Sequence, residues 1–373
     1  MRIRAAVLRR PGRPLEVEEL ELEAPRREEV LVRLQASGIC RSDLSLLDGK
    51  WPAPLPMVLG HEGAGTVEEV GDDVDASRVG EYVVLTFTPA CGRCRFCLRG
   101  RVNLCTEAAR SMDHGVLLDG TTRLSRDGER VHHLALVSSF ATHAVVPANA
   151  AIVVPPGLDP AVSCLLGCGV LTGITAVTRR ATVRPGESVA VLGCGGVGLS
   201  AVLGARLVSA HPIVAVDPVA AKRELAVRLG ATDAIDPEGE DPAAAIRRIV
   251  ADGVDYSFEA VGIPAVAQQA FAATRTGGTT VLIGQPALGA SVALPVYDLT
   301  QFEHDVLGTH IGGATPALDI PALAALVDTG SLDLAPLVTH RYRLNQISEA
   351  LETARSGKAV RVVLDLADTA AAA

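Results

Sequence analysis

Six residues, Gly193-Cys194-Gly195-Gly196-Val197-Gly198, constrain the fold of this chain more than any other feature. They follow directly on the apolar run Ser188-Val189-Ala190-Val191-Leu192 and open an apolar segment over residues 195–207 with helical character. A strand, a tight glycine turn and a helix, in that order, begin a βαβ unit. The glycines permit the turn and let a pyrophosphate approach the helix N-terminus, where unpaired N–H groups and the helix dipole attract anions. The glycine spacing alone is a weak signal, but Asp217 lies 19 residues beyond the last glycine, at the end of the next apolar run Val214-Ala215-Val216. A carboxylate placed there accepts hydrogen bonds from the adenosine ribose hydroxyls and repels a 2′-phosphate, which favours NAD over NADP.

The same strand-and-helix alternation continues through residues 213–216, 220–229, 253–258 and 279–283, as expected of a parallel sheet covered on both faces. Residues before about 150 read differently. Runs such as 30–34 and 65–70 are short, apolar and bounded by Gly and Pro, which is a β-rich texture. After about residue 309 the pattern predicts a helix over 321–329 and a closing strand over 360–366, with a low-complexity end at 369–373 that is expected to fray. A chain of 373 residues is long for one domain. These shifts separate a central segment of 170–311, expected to be doubly wound, from flanks at 1–169 and 312–373, the first of them β-rich. The net charge of −9 argues against a nucleic-acid partner. No run approaches the ~18 apolar residues of a membrane span, and the N-terminus carries no signal peptide, so the expected location is the cytoplasm.

Four of the eight cysteines, Cys91, Cys94, Cys97 and Cys105, fall within fifteen residues. In a reducing compartment such spacing reads as metal ligation and not as disulfides. Four thiolates suit a closed, structural zinc site, here a lobe over about 90–106. Iron–sulfur ligation uses related spacing with a different last interval, and a nucleic-acid zinc ribbon conflicts with the acidic balance.

Cys40-Arg41-Ser42-Asp43, Gly60-His61-Glu62 and Gly167-Cys168-Gly169 say little when each is taken alone. Together with the cysteine lobe and the glycine turn they resemble the medium-chain zinc alcohol dehydrogenases, over essentially the whole chain. That resemblance implies a GroES-like catalytic domain joined to a doubly wound Rossmann domain, two zinc ions per chain and NAD. It makes Cys40, His61 and Cys168 the ligands of a catalytic zinc, Asp43 the carboxylate that orients the histidine, and Glu62 an acid close behind the metal. It gives Ser42 the role of a proton-relay hydroxyl. Arg41 and Arg361 become pyrophosphate cations, Lys222 a ribose contact, and Thr172 and Val197 the packing against nicotinamide. The stretch 105–140 resembles the longer-looped liver and glutathione-dependent branch, which implies a homodimer.

The chain departs from that pattern at several positions. Ser45 stands where many members carry a proton-accepting histidine. Trp51 stands where glutathione-dependent members have an acid. Arg110 stands where liver-type members carry an aliphatic wall residue and suggests an anionic or strongly polar substrate group, Ala135 opens space where they have something larger, and Phe87 matches an aromatic wall. The expected activity is hydride transfer between NAD(H) and a small-molecule alcohol or carbonyl substrate. An imine or conjugated-alkene reductase on the same scaffold is the second reading. A cofactor-bound structural protein is the non-enzymatic one.

Overall fold

A computed structural model describes residues 1–367; the C-terminal run 369–373, expected to fray, lies outside the described residues. The chain forms two units, Met1–Cys168 with Thr315–Ala373, and Gly169–Ala314.

The second unit holds six parallel strands in the order Asp233–Ile235, Ile213–Val216, Val189–Leu192, Val254–Glu259, Thr274–Leu282 and Asp305–Gly308. Val189–Leu192 and Ile213–Val216 are buried along their whole length, as strands covered on both faces must be. The chain enters the sheet centrally, runs to one edge, and returns to build the other side. This is the doubly wound Rossmann order. Helix Gly196–Leu207 packs closely on helix Gly169–Thr175, because a Cβ at Gly173 would collide with the Val197 carbonyl and one at Gly204 would crowd Ile174. Strand Thr274–Leu282 starts five residues before the predicted 279. Its first residue is polar and buried, with Thr274 Oγ1 donating to Ser257 Oγ at 2.7 Å, so apolar patterning does not find it.

In the first unit, six strands follow the order Ala151–Val153, Tyr82–Leu85, Glu62–Val70, Glu29–Ile39, Arg361–Asp365 and Val338–Arg343, and His143–Pro147 also pairs with Glu29–Ile39. A five-stranded closed barrel is made by Arg2–Leu8, Glu16–Leu22, Leu124–Arg126, Glu129–His133 and Met57–Val58. Among the described residues, one apolar cluster of this unit gathers around Leu34, Leu59, Leu85 and Phe140, and another around Leu20, Leu22, Leu124 and Leu136. Register positions the chemistry. Gly38 pairs with Glu62 and Ile39 with Val362, so the ends of three neighbouring strands carry Cys40, His61 with Glu62, and Arg361 to one place.

The late helix spans Pro316–Asp328 and not 321–329. Pro316 sets the start, and Asp319 in the first turn accepts the Thr315 N–H at 2.7 Å. Pro321, the residue expected to open the helix, lies inside it. Among the described residues no single helix is long and apolar enough to cross a membrane.

Candidate active site and metal centres

Helix Arg41–Leu47 begins where strand Glu29–Ile39 ends, with Cys40 at the junction. Asp43, in the first turn and with no exposure, folds its carboxylate back over that junction. Oδ2 accepts the Cys40 N–H at 2.9 Å, and Oδ1 accepts the Gly60 N–H at 3.2 Å and lies 3.3 Å from His61 Nδ1. Donating Nδ1–H to Asp43 leaves Nε2 of His61 as the lone pair for a metal, and the Ser42 hydroxyl lies 3.3 Å from that nitrogen. Phe87 packs edge-on against the histidine ring, with centroids 5.3 Å apart. Cys168 completes the group, and one ligand atom from each of Cys40, His61, Glu62 and Cys168 falls within 4.8 Å of the others.

Two thiols and an imidazole are a donor set that suits a catalytic zinc. Hydrogen bonding from Cys168 and the pull of His61 hold the Cys40 thiol well below its usual range, and burial opposes them. Cys168 is pushed the other way by Cys40 and by burial. Burial would lower His61, but the charge and hydrogen bond of Asp43 outweigh it and raise it. The cluster thus holds protons that a dication would displace, since metal binding requires thiolates and a neutral imidazole. Glu62 brings a further donor. Its Oε2 pairs with Arg361, while Oε1 is buried without a partner in the structure, a demand that a cation satisfies.

Arg361 is therefore buried against Glu62. Burial would lower its guanidinium, but the negative charge of Glu62 and Cys40 holds it above its usual range. The sequence offered no signal for this pairing, which joins residues 299 apart.

The second cluster is local. All four sulfurs of Cys91, Cys94, Cys97 and Cys105 lie within 4.8 Å of one another, with Cys91 and Cys97 4.0 Å apart. Tetrahedral Zn–S bonds of about 2.3 Å place sulfurs roughly 3.8 Å apart, so one ion fits and a larger iron–sulfur cluster does not. Backbone N–H groups of Cys91, Cys94 and Cys97 donate to Cys105, Cys91 and Cys94 sulfurs at 3.4 to 3.5 Å. Hydrogen bonds from the Cys97 and Thr106 backbone bring the Cys94 thiol down to about 5, whereas burial and Cys94 push Cys97 up to about 12. All eight cysteines are free thiols.

In the Rossmann unit Gly193 has φ +100°, a conformation that only glycine adopts readily, and a Cβ at Gly198 would collide with the Gly193 carbonyl. A Cβ at Gly195 would meet nothing within 4 Å. No protein packing demands glycine there, and the open space it leaves at the N-terminus of Gly196–Leu207 is what a pyrophosphate needs. Asp217 is 6% exposed and accepts the Cys194 N–H at 2.8 Å and the Val219 N–H at 2.9 Å. Thr172 and Lys222 are buried, and Val197 is half-buried. Sequence reasoning missed Arg223 and Asp236, which meet beside Asp217 because the strands that precede Asp217 and Asp236 are paired.

Of the predicted pocket residues, Trp51 and Phe87 are half-buried against the apolar cluster that also contains Leu46 and Leu59. Ala135 is buried with φ +53°. Arg110 is exposed and paired with Glu107, on the rim of a groove of about 1020 Å³ that Pro54, Met57 and His132 also line. Arg41 is exposed at the start of its helix, and Ser45 is 8% exposed within it.

These features together define a class of protein: an oxidoreductase that combines a nicotinamide dinucleotide with a catalytic metal. Comparison with known proteins carries this further. Residues 26–156 match the alcohol dehydrogenase GroES-like domain and residues 196–329 the zinc-binding dehydrogenase domain. The chain is 38% identical to S-(hydroxymethyl)glutathione dehydrogenase of Synechocystis sp., over 98% of this chain and 100% of that one, and equally so to its namesake in Escherichia coli. Among solved structures it resembles an alcohol dehydrogenase zinc-binding domain protein from Burkholderia ambifaria (TM-score 0.94, 40% identity, 98% and 99% of the two chains). It also resembles benzyl alcohol dehydrogenase from Acinetobacter calcoaceticus (TM-score 0.93, 35% identity, the same coverage). The chain belongs to the medium-chain zinc-dependent alcohol dehydrogenase family, on its glutathione-dependent-like branch. It is an NAD-dependent enzyme that interconverts alcohols and carbonyl compounds, with zinc as its metal.

Proposed function

We propose that the enzyme acts on primary or secondary alcohols with an apolar skeleton, and on the matching aldehydes or ketones, at the centre formed by Cys40, His61 and Cys168. One observation carries this reading: these side chains converge, with the Ser42 hydroxyl 3.3 Å from His61 Nε2. Zinc bound by Cys40, His61 and Cys168 would supply a Lewis acid for the substrate oxygen, and NAD bound at the glycine turn would supply the acceptor or donor of the hydride. During oxidation the Ser42 hydroxyl would take the alcohol proton while releasing its own towards solvent water, and Ser45 stands three residues further along the same helix. Asp43 fixes the His61 tautomer and ring orientation. Glu62 and Arg361 neutralise each other behind the ligands.

On the cofactor side, Asp217 and Lys222 would hold the adenosine ribose, the turn from Gly193 to Gly198 at the helix start would hold the pyrophosphate, and Thr172 and Val197 would pack on the nicotinamide. The pyrophosphate role of Arg41 and Arg361 rests on the family resemblance alone. Trp51 and Phe87, half-buried on one apolar cluster, support a lipophilic substrate. Arg110, already paired with Glu107, gives an anionic group little support. The test is initial rates with NAD on benzyl alcohol, linear and branched aliphatic alcohols, and S-(hydroxymethyl)glutathione. Benzylic or aliphatic alcohols are expected to show the higher kcat/KM; a clear preference for the glutathione adduct overturns the substrate assignment.

We also assign the domain boundaries as 1–169 with 312–373 for catalysis and 170–311 for NAD, and the chain to the cytoplasm, a compartment that keeps its free thiols reduced. The homodimer rests on resemblance over 105–140. Strand Asp305–Gly308, which has a neighbour on one side only among the described residues, is an edge that a second copy could cover. Sedimentation of the zinc-loaded enzyme distinguishes dimer from monomer.

A further inference from the structure

The carboxylate that favours NAD is bordered by an arginine. Arg223, on helix Ala220–Leu229, donates from Nη1 to the Asp217 carbonyl at 2.7 Å and the Pro218 carbonyl at 2.8 Å. Its Nη2 lies 2.9 Å from Oδ2 of Asp236, which follows strand Asp233–Ile235. Strand pairing fixes the arrangement: Val216 pairs with Ile235, and the Asp217 N–H donates to the Ile235 carbonyl at 3.2 Å. Two consecutive strand ends therefore deliver Asp217 and Asp236, and Arg223 spans them.

An arginine at this end of a Rossmann sheet is the residue type that accommodates a 2′-phosphate. Its planar fork matches phosphate oxygens, and its charge does not titrate away. Here that charge is committed to Asp236. We propose that Asp236 is a specificity-determining residue for the cofactor: by neutralising and anchoring Arg223 it withholds a cation from the 2′ position, so that exclusion of NADP rests on Asp217 and Asp236 together. The inference rests on the reading that the adenosine ribose lies at Asp217. Asp236 is 43% exposed, whereas Arg223 is 19% exposed, so the pair is anchored from the arginine side and open to solvent on the other. Replacing Asp236 frees the guanidinium without emptying a core position.

Asp236→Asn suits the test, because Oδ1 of Asp236 accepts the Glu238 N–H at 3.0 Å and an amide oxygen can keep that turn. The probes are AMP and adenosine 2′,5′-bisphosphate, titrated calorimetrically into the zinc-loaded protein, with kcat/KM for NAD and NADP measured alongside. Asp236→Asn is expected to tighten the bisphosphate about 10-fold while leaving AMP nearly unchanged, the size of one charge-assisted hydrogen bond gained. Adding Arg223→Ala in that background is expected to remove the gain. Thermal melting confirms that each variant is folded, and Asp236→Ala repeats the measurement if the Asn variant is not. Unchanged bisphosphate affinity in a folded Asp236 variant, or a gain that survives Arg223→Ala, overturns the inference. Wild type binding the bisphosphate more tightly than AMP overturns the Asp217 reading itself.

Discussion

Asp43 and His61 meet with 3.3 Å between a carboxylate oxygen and Nδ1, and the carboxylate has no exposure to solvent. Because Asp43 also accepts the N–H groups of Cys40 and Gly60, one carboxylate fixes both the tautomer of one ligand and the backbone that carries another. Asp43→Asn keeps the shape but loses the charge that favours Nδ1–H. It is expected to weaken zinc at this centre and lower kcat about 10- to 100-fold, the usual cost of losing such a partner. Zinc per chain after mild chelation, read with turnover, checks this; full retention of both would remove Asp43 from the mechanism.

The two metal centres are expected to respond differently to ligand loss. Cys97→Ser leaves three thiolates in a site whose backbone is organised by N–H···S bonds, so the lobe should lose its ion and the melting temperature should fall by about 2–4 °C for each kcal/mol lost. Cys168→Ser should abolish turnover with less effect on melting, because its site is built on strand ends that are already paired. Both variants should bind one zinc ion in place of two. Equal melting shifts from the two changes would contradict this division of roles.

His133 provides a pH test on a residue that belongs to neither metal-ligand cluster. It is almost wholly buried, its Nε2 accepts the Arg123 N–H at 3.2 Å, and its Nδ1 is buried without a partner in the structure. Burial first, then the neighbouring Arg123 charge, lowers it to about 3 from the ordinary 6.5. The folded state therefore resists a proton that the unfolded chain accepts. The stability tied to this residue is complete above pH 6.5 and is lost as pH falls towards 3, at up to about 1.4 kcal/mol per pH unit. Urea midpoints between pH 6.5 and 4.5 should fall more steeply for wild type than for His133→Gln, and parallel slopes would show that the histidine titrates normally.

What sequence makes legible here follows from range. The turn at Gly193–Gly198 is local: strand, glycines and helix adjoin, and each has a steric reason to be what it is. The four-cysteine lobe is local as well. Cys40, His61 and Cys168 are far apart in the chain, and only family resemblance joined them before the strand register did. The Glu62–Arg361 pair had no such guide, since a buried ion pair across 299 residues leaves no periodicity to read. The helix Thr106–His114 places Arg110 one turn from Glu107, so the cation that lines the groove also carries an exposed ion pair. The start of the helix at Pro316 was obscured because two prolines five residues apart both look like first-turn residues, and Asp319 decided between them.

Proton exit gives the sharpest kinetic test, because Ser45 stands where the family resemblance implies a histidine in many members. Ser42, half-buried beside His61, has the reach to take the alcohol proton, whereas Ser45, one turn later, is 8% exposed and has no proton-holding nitrogen. Ser42→Ala is expected to lower kcat for alcohol oxidation about 100-fold near neutral pH, the lower range for a positioned proton acceptor, with little change in KM. The loss should shrink towards pH 10, where hydroxide replaces the relay. If Ser45 passes the proton onward, Ser45→Ala should show the same pH dependence at smaller amplitude, because it serves only a later transfer. Carbonyl reduction should suffer less from either change if hydride transfer limits that direction. The measurement is kcat in both directions from pH 6 to 10 for wild type, Ser42→Ala and Ser45→Ala, with solvent deuterium isotope effects. A Ser42→Ala loss that stays constant across the pH range means that the hydroxyl positions substrate and does not carry its proton, and the relay assigned to this helix would then have to be given up.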